Sequence, residues 1–166
     1  MNLKRAISMT SMVGGLVLWC LAGSAMAQVP QYGANISHEQ ARKTVAAAIA
    51  EARKQNLPMA VAIVDNSGML VAFERMDNTQ TASTAISQDK AASAAMYRRP
   101  TKVFQDVLAA GGVGMRVLTL RGANAVEGGL PLVIDGKIVG GLGVSGGTSE
   151  QDGVIAKAGT DGLAAK

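Results

Sequence analysis

Few side chains in this chain are equipped for catalysis or metal binding. His38 is the sole histidine. It falls in the first turn of an expected helix, where it is either an exposed surface residue or an axial ligand to haem iron, a role that histidine commonly fills. Cys20, the sole cysteine, lies in an apolar N-terminal stretch. With so few of either residue type, zinc centres built from cysteine and histidine are excluded by count. Two further features bear on anions. A glycine-rich strand end, residues 140–147, runs into an expected helix start at Thr148. Ser145 and Gly146 lie in it, and backbone N–H groups at such a turn favour anions. The other account of these glycines is close packing of a strand and a helix. Arg98, Arg99 and Lys102 form a basic cluster that either pairs with carboxylates or stays a solvated face. Arg75-Met76-Asp77 sets opposite charges beside a turn, as an ion pair or the rim of a pocket.

Three named motifs occur by spelling and fail by context. Residues 141–146 spell G-x-G-x-x-G, but they follow an expected hairpin and leave room for only one more helix. A dinucleotide site needs a βαβ unit and an acidic residue about 20 positions on. Residues 143–147 spell G-x-S-x-G, but the required acid and then histidine do not follow, since His38 lies far upstream. Residues 87–90 spell S-x-x-K without the S-D-N and K-T-G partners of that group.

The elements that must position these groups begin after an export signal. Lys4 and Arg5 precede an apolar stretch from Met12 to Leu21, then small residues ending in Ala25-Met26-Ala27. This is a cleavable secretory pattern, with the cut expected before Gln28 and a periplasmic or secreted destination. The apolar run is short of the roughly 20 residues that span a bilayer. Cleavage removes two cations and no acids, so the formal charge falls from +4 to +2. Tyr32, Phe73, Tyr97 and Phe104 are the aromatic residues that remain. A weak charge and few stacking platforms exclude a nucleic-acid partner. The five remaining methionines read mostly as core filler.

Residues 28–36 hold Pro and Gly without a period and read as a flexible leader. Residues 37–166 read as one domain. Ser37 and Gln40 form a capping box before apolar residues at helical spacing, and Leu57-Pro58 ends that helix. Two β-rich runs, 59–65 and 69–74, flank Asn66-Ser67-Gly68 as a hairpin. A second helix covers about 81–97. Thr101 caps a third that Gly111-Gly112 closes. Residues 113–129 carry no clear assignment. Asp135-Gly136 joins two more strands, the strongest hairpin signal in the chain. Thr148 and Gln151 cap a last helix. Hairpins in place of βαβ crossovers imply an antiparallel sheet with helices packed on it, an α/β chain of the α+β kind.

Several stretches in order resemble one family. They are residues 61–65 with Gly68, residues 72–77, Lys90-Ala91, Arg99-Pro100-Thr101, residues 128–131, Asp135-Gly136, residues 140–147 and Asp152. The set resembles the GlcG/HbpS-like family of haem-binding or haem-degrading domains, which is related to the C-terminal domain of PduO proteins. The resemblance spans about 37–166. It implies a profilin-like or roadblock-like fold, assembly into homo-oligomers, and haem or a related tetrapyrrole as ligand in some members. A histidine near the first helix contacts haem in some members, and His38 lies in a comparable place as the implied iron ligand. Arg75, Asp77, Lys90, Arg99, Thr101, Ser145 and Gly146 match the family pattern at turns and strand ends. Arg99 and Lys102 are the expected propionate partners. The expected function is an exported, oligomeric haem- or tetrapyrrole-binding protein without a stable membrane anchor. Two alternatives stand beside it. One is an enzyme acting on haem or a small carboxylate such as a 2-hydroxy acid, through Arg75, Asp77, Lys90 and Asp152. The other is a non-catalytic assembly module.

Overall fold

The computed structural model describes residues 29–164. The expected signal, residues 1–27, lies outside the described residues. The order is α1 (His38–Lys54), β1 (Ala60–Val64), β2 (Leu70–Arg75), α2 (Ser83–Tyr97), α3 (Thr101–Ala109), a 3-10 segment (Gly112–Thr119), β3 (Gly129–Ile134), β4 (Lys137–Ser145) and α4 (Ser149–Ala164). The four strands form one antiparallel sheet in the order β2-β1-β4-β3. This is the expected antiparallel sheet layered with helices.

Local chemistry accounts for most of the boundaries. Ser37 Oγ accepts from the Gln40 N–H at 3.2 Å, and Gln40 Oε1 accepts from the Ser37 N–H at 2.9 Å. This capping box satisfies amide groups that a helix start leaves orphaned. Thr148 and Gln151 repeat the pattern before α4. Asp135 and Gly136 both adopt positive φ, 49° and 72°, as a two-residue turn matched to strand twist requires. Thr101 differs from its expected capping role. It is the first residue of α3, and its hydroxyl accepts from the buried Gly129 N–H at 2.9 Å. Pro100 stands at the cap instead, its fixed φ suiting a helix entrance.

The sheet has two covered faces. Val61, Ile63, Leu142 and Val144 point to α1 and α4, against Val45, Ala48, Ile49 and Ile155. Ala62 and Val64 point the other way, to Ala91 and Ala95 of α2. With both faces covered, β1 is an unbroken apolar run. Each fully buried Val or Ile there contributes about 1.5–3 kcal/mol.

The seat of α2 is unusual in its small residues. A Cβ on Gly143 would overlap the Ser87 carbonyl oxygen, and one on Gly141 would overlap that of Ala91. Gly129 of β3 meets the Lys90 carbonyl in the same way. The helix answers with Ser83, Ser87, Ala91, Ala94 and Ala95, all buried. The G-x-G-x-x-G spelling therefore marks where a helix backbone lies directly on strands.

Residues 29–36 form no strand, yet they run beside β4 beyond the end of β1. Tyr32 bridges Ile138 in parallel, and the Ile36 N–H donates to the Val139 carbonyl at 2.7 Å. The Tyr32 hydroxyl donates to the carbonyls of Ala95 and Met96 at the end of α2.

Candidate functional site

Two places gather polar chemistry. The first is closed. Lys90, on α2, is 1 % exposed, and its Nζ donates to Asp152 Oδ2 at 2.7 Å and to the Val144 carbonyl at 3.1 Å. Asp152, in the first turn of α4, accepts through Oδ1 from the Gly147 N–H at 3.0 Å. Burial pushes the Asp152 carboxyl above its ordinary value, opposed by Lys90 and by the N–H groups of Gly147 and Gly146. The anion held by the glycine turn is thus the chain's own carboxylate. Ser145 is buried beside it and bonds to the Ser83 hydroxyl at 3.1 Å. Gly128 fits against this centre, since a Cβ there would crowd the Val144 carbonyl, Asp152 and the Lys90 ammonium. Every polar atom of the pair is engaged from within the chain, so its chemistry is that of a clamp between α2, β4 and α4.

The second place is open. A groove of about 450 Å³ runs between α1 and β2. His38, Arg42, Val45 and Ala46 form its helix wall, and Val71, Ala72, Phe73 and Glu74 form its strand wall. An adjoining hollow of about 370 Å³ shares His38 and Arg42 with it. Among the described residues, neither the His38 ring nor the Arg42 guanidinium has a hydrogen bond, ion pair or ring contact. Spacing explains their meeting, because residues four apart on a helix share a face. Glu74, by contrast, lies 3.9 Å from the Arg53 guanidinium.

The other expected residues lie elsewhere. Arg75 and Asp77 line a separate hollow with Arg53, Glu74 and Met76. Arg75 sits two strands from Ser145, each paired with Ala60 of β1, and neither Arg75 nor Asp77 bonds to the Lys90–Asp152 pair. Arg99 lies over the Phe104 ring at 5.7 Å. Lys102 bonds to Asp106 at 2.8 Å and lies 3.7 Å from Glu127. The Asp106 carboxylate holds its ammonium above the ordinary lysine value. Both belong to the α3 region, which contacts β3, the edge of the sheet opposite β2. The structure therefore does not bring Arg99 or Lys102 to His38. Sequence reasoning missed Arg42, Phe73 and Glu74. The signal for Arg42 was its i+4 spacing from His38.

Comparison with known proteins decides the family. The family described as "Haem degrading protein HbpS-like" matches residues 36–161. The chain belongs to the HbpS-like family. Among HbpS-like relatives, Protein GlcG of Escherichia coli K12 is 39 % identical over 110 residues, 66 % of this chain and 81 % of GlcG. The solved complex of PduOC with heme aligns with a TM-score of 0.70 at 28 % identity, covering 77 % of this chain and 94 % of PduOC. The HbpS of Streptomyces reticuli, solved as a double mutant, aligns at 0.71 with 25 % identity, covering 95 % of this chain and 97 % of that one. The HbpS-like assignment agrees with the fold, in which one antiparallel sheet carries helices on both faces.

Proposed function

We propose that this chain is an exported, homo-oligomeric protein that binds haem or another tetrapyrrole in the groove between α1 and β2, with His38 as iron contact. The observation that carries this is an imidazole without a partner among the described residues, lining a groove whose strand wall includes Val71, Ala72 and Phe73. The volume falls within the 300–1,000 Å³ of small-molecule sites, and such sites combine an apolar lining with a few placed polar groups. Bound haem would supply an iron centre. The chain's own part is to present the His38 nitrogen and to shield one side of the macrocycle with the β2 wall. Support from relatives is the family's haem-degrading description and the heme complex of PduOC.

Haemin titrated into residues 28–166 is expected to give a saturable Soret shift. His38→Ala is expected to shift the bound maximum or abolish saturation, and an unchanged spectrum in that variant would remove His38 from the role. Export and assembly have their own check. Protein recovered from the periplasm should begin at Gln28 by mass spectrometry and scatter light as a multiple of the subunit mass. The exposed apolar residues Val113, Met115 and Leu118 favour self-association. An intact N-terminus or a monomer would count against that part of the reading.

A further inference from the structure

The groove contains one cation, Arg42, whose charge no carboxylate among the described residues answers. We propose that Arg42 is the anion clamp of this site, selecting ligands that carry a carboxylate beside their apolar body. The inference rests on the His38 groove being the ligand site, and it names the group that orients the ligand there.

Three observations lead to it. Arg42 lines both hollows that contain His38, so a ligand touching the imidazole lies within the arginine's reach. The charged residue of the strand wall, Glu74, lies beside Arg53 and has no ion pair with Arg42. Cations elsewhere in the domain find carboxylate partners where one lies in reach: Arg53 lies beside Glu74, Lys54 has Glu51, Lys90 has Asp152, Lys102 has Asp106 and Lys157 has Asp161. Arg42 has none among the described residues. Guanidinium is suited to this work because its planar fork meets a carboxylate with two parallel hydrogen bonds, which fix orientation as well as charge. Ala46, on the same helix, and Phe73, across the groove, are exposed and supply apolar surface for the rest of the ligand.

The direct test compares haemin, which carries two propionates, with haemin dimethyl ester, in which both are capped. Wild-type residues 28–166 are expected to bind haemin about 10-fold more tightly than the ester, since a hydrogen bond to a charged group contributes about 1.5 kcal/mol or more and 1.4 kcal/mol is tenfold. Arg42→Ala should lose that preference while keeping the Soret maximum of the bound form, because His38 remains. Arg42→Lys should restore part of it. Arg42 is exposed, so these variants should melt as the wild type does. If wild type binds haemin with a His38-dependent Soret band and Arg42→Ala keeps the full preference, the clamp is overturned and the haem site stands. If wild type gives no saturable shift, both are overturned together.

Discussion

Replacing Lys90 with methionine is expected to lower the unfolding free energy by about 3–5 kcal/mol, the usual cost of breaking a buried pair from one side. The reason is what the substitution leaves behind. Asp152 would keep its carboxylate in a site where it is 4 % exposed, without the ammonium 2.7 Å away. The Val144 carbonyl would lose a donor as well. Adding Asp152→Asn should recover part of the loss. The amide is uncharged, and its oxygen can still accept from the Gly147 N–H. Urea unfolding of the two single variants and the double variant measures the coupling between the positions. A double variant no more stable than Lys90→Met alone would show that unpaired charge is not the source of the penalty.

Gly143→Ala is expected to cost about 3 kcal/mol, the upper end of overpacking effects. The added methyl meets the Ser87 carbonyl and the Ala91 N–H, both part of the α2 backbone. No truncation of a helix side chain relieves that contact, so the helix must lift off β4. Lifting it loosens the Lys90–Asp152 clamp, whose lysine lies on the same helix. Thermal melts check the stability, and near-UV absorbance of Tyr97, at the end of α2, reports the displacement. A melt within a degree of wild type would mean that the seat of α2 is softer than its geometry.

Local features were legible in the sequence where a few neighbouring residues decide the outcome. Ser37 and Gln40 announce α1, Asp135-Gly136 announces the second hairpin, and Thr148 and Gln151 announce α4. Each works through bonds within three or four positions, and each is present in the structure. The strand order was not legible. Nothing near Val61 or Val144 announces that they pair, 83 positions apart. Residues 113–129 offered no pattern, and the 3-10 segment there exposes much of its apolar surface. The site divides in the same way. His38 stood out by being the only imidazole, and Lys90 and Asp152 stood out as ionisable residues. That these two close on each other depends on how α2 and α4 meet β4, a tertiary outcome separated by 62 positions of chain. Arg99 and Lys102 looked available because a sequence does not display the Phe104 ring or the Asp106 carboxylate that engage them.

The segment ahead of α1 has a bearing on His38 that is a matter of fraying. Helix ends open first, and the first turn is ordinarily the least protected part of a helix. His38 sits in that turn. Here the turn is held from both directions, by the capping box that follows Ser37 and by the Ile36 bond to β4 that precedes it. Ile36 is also buried in the core, 5 % exposed. Amide protons at the start of α1 should therefore exchange slowly for a terminus, and the imidazole should keep its place over the groove by side-chain torsions alone. A ligand arriving there meets a contact whose backbone has already given up its freedom, so little of the binding energy is spent on ordering it.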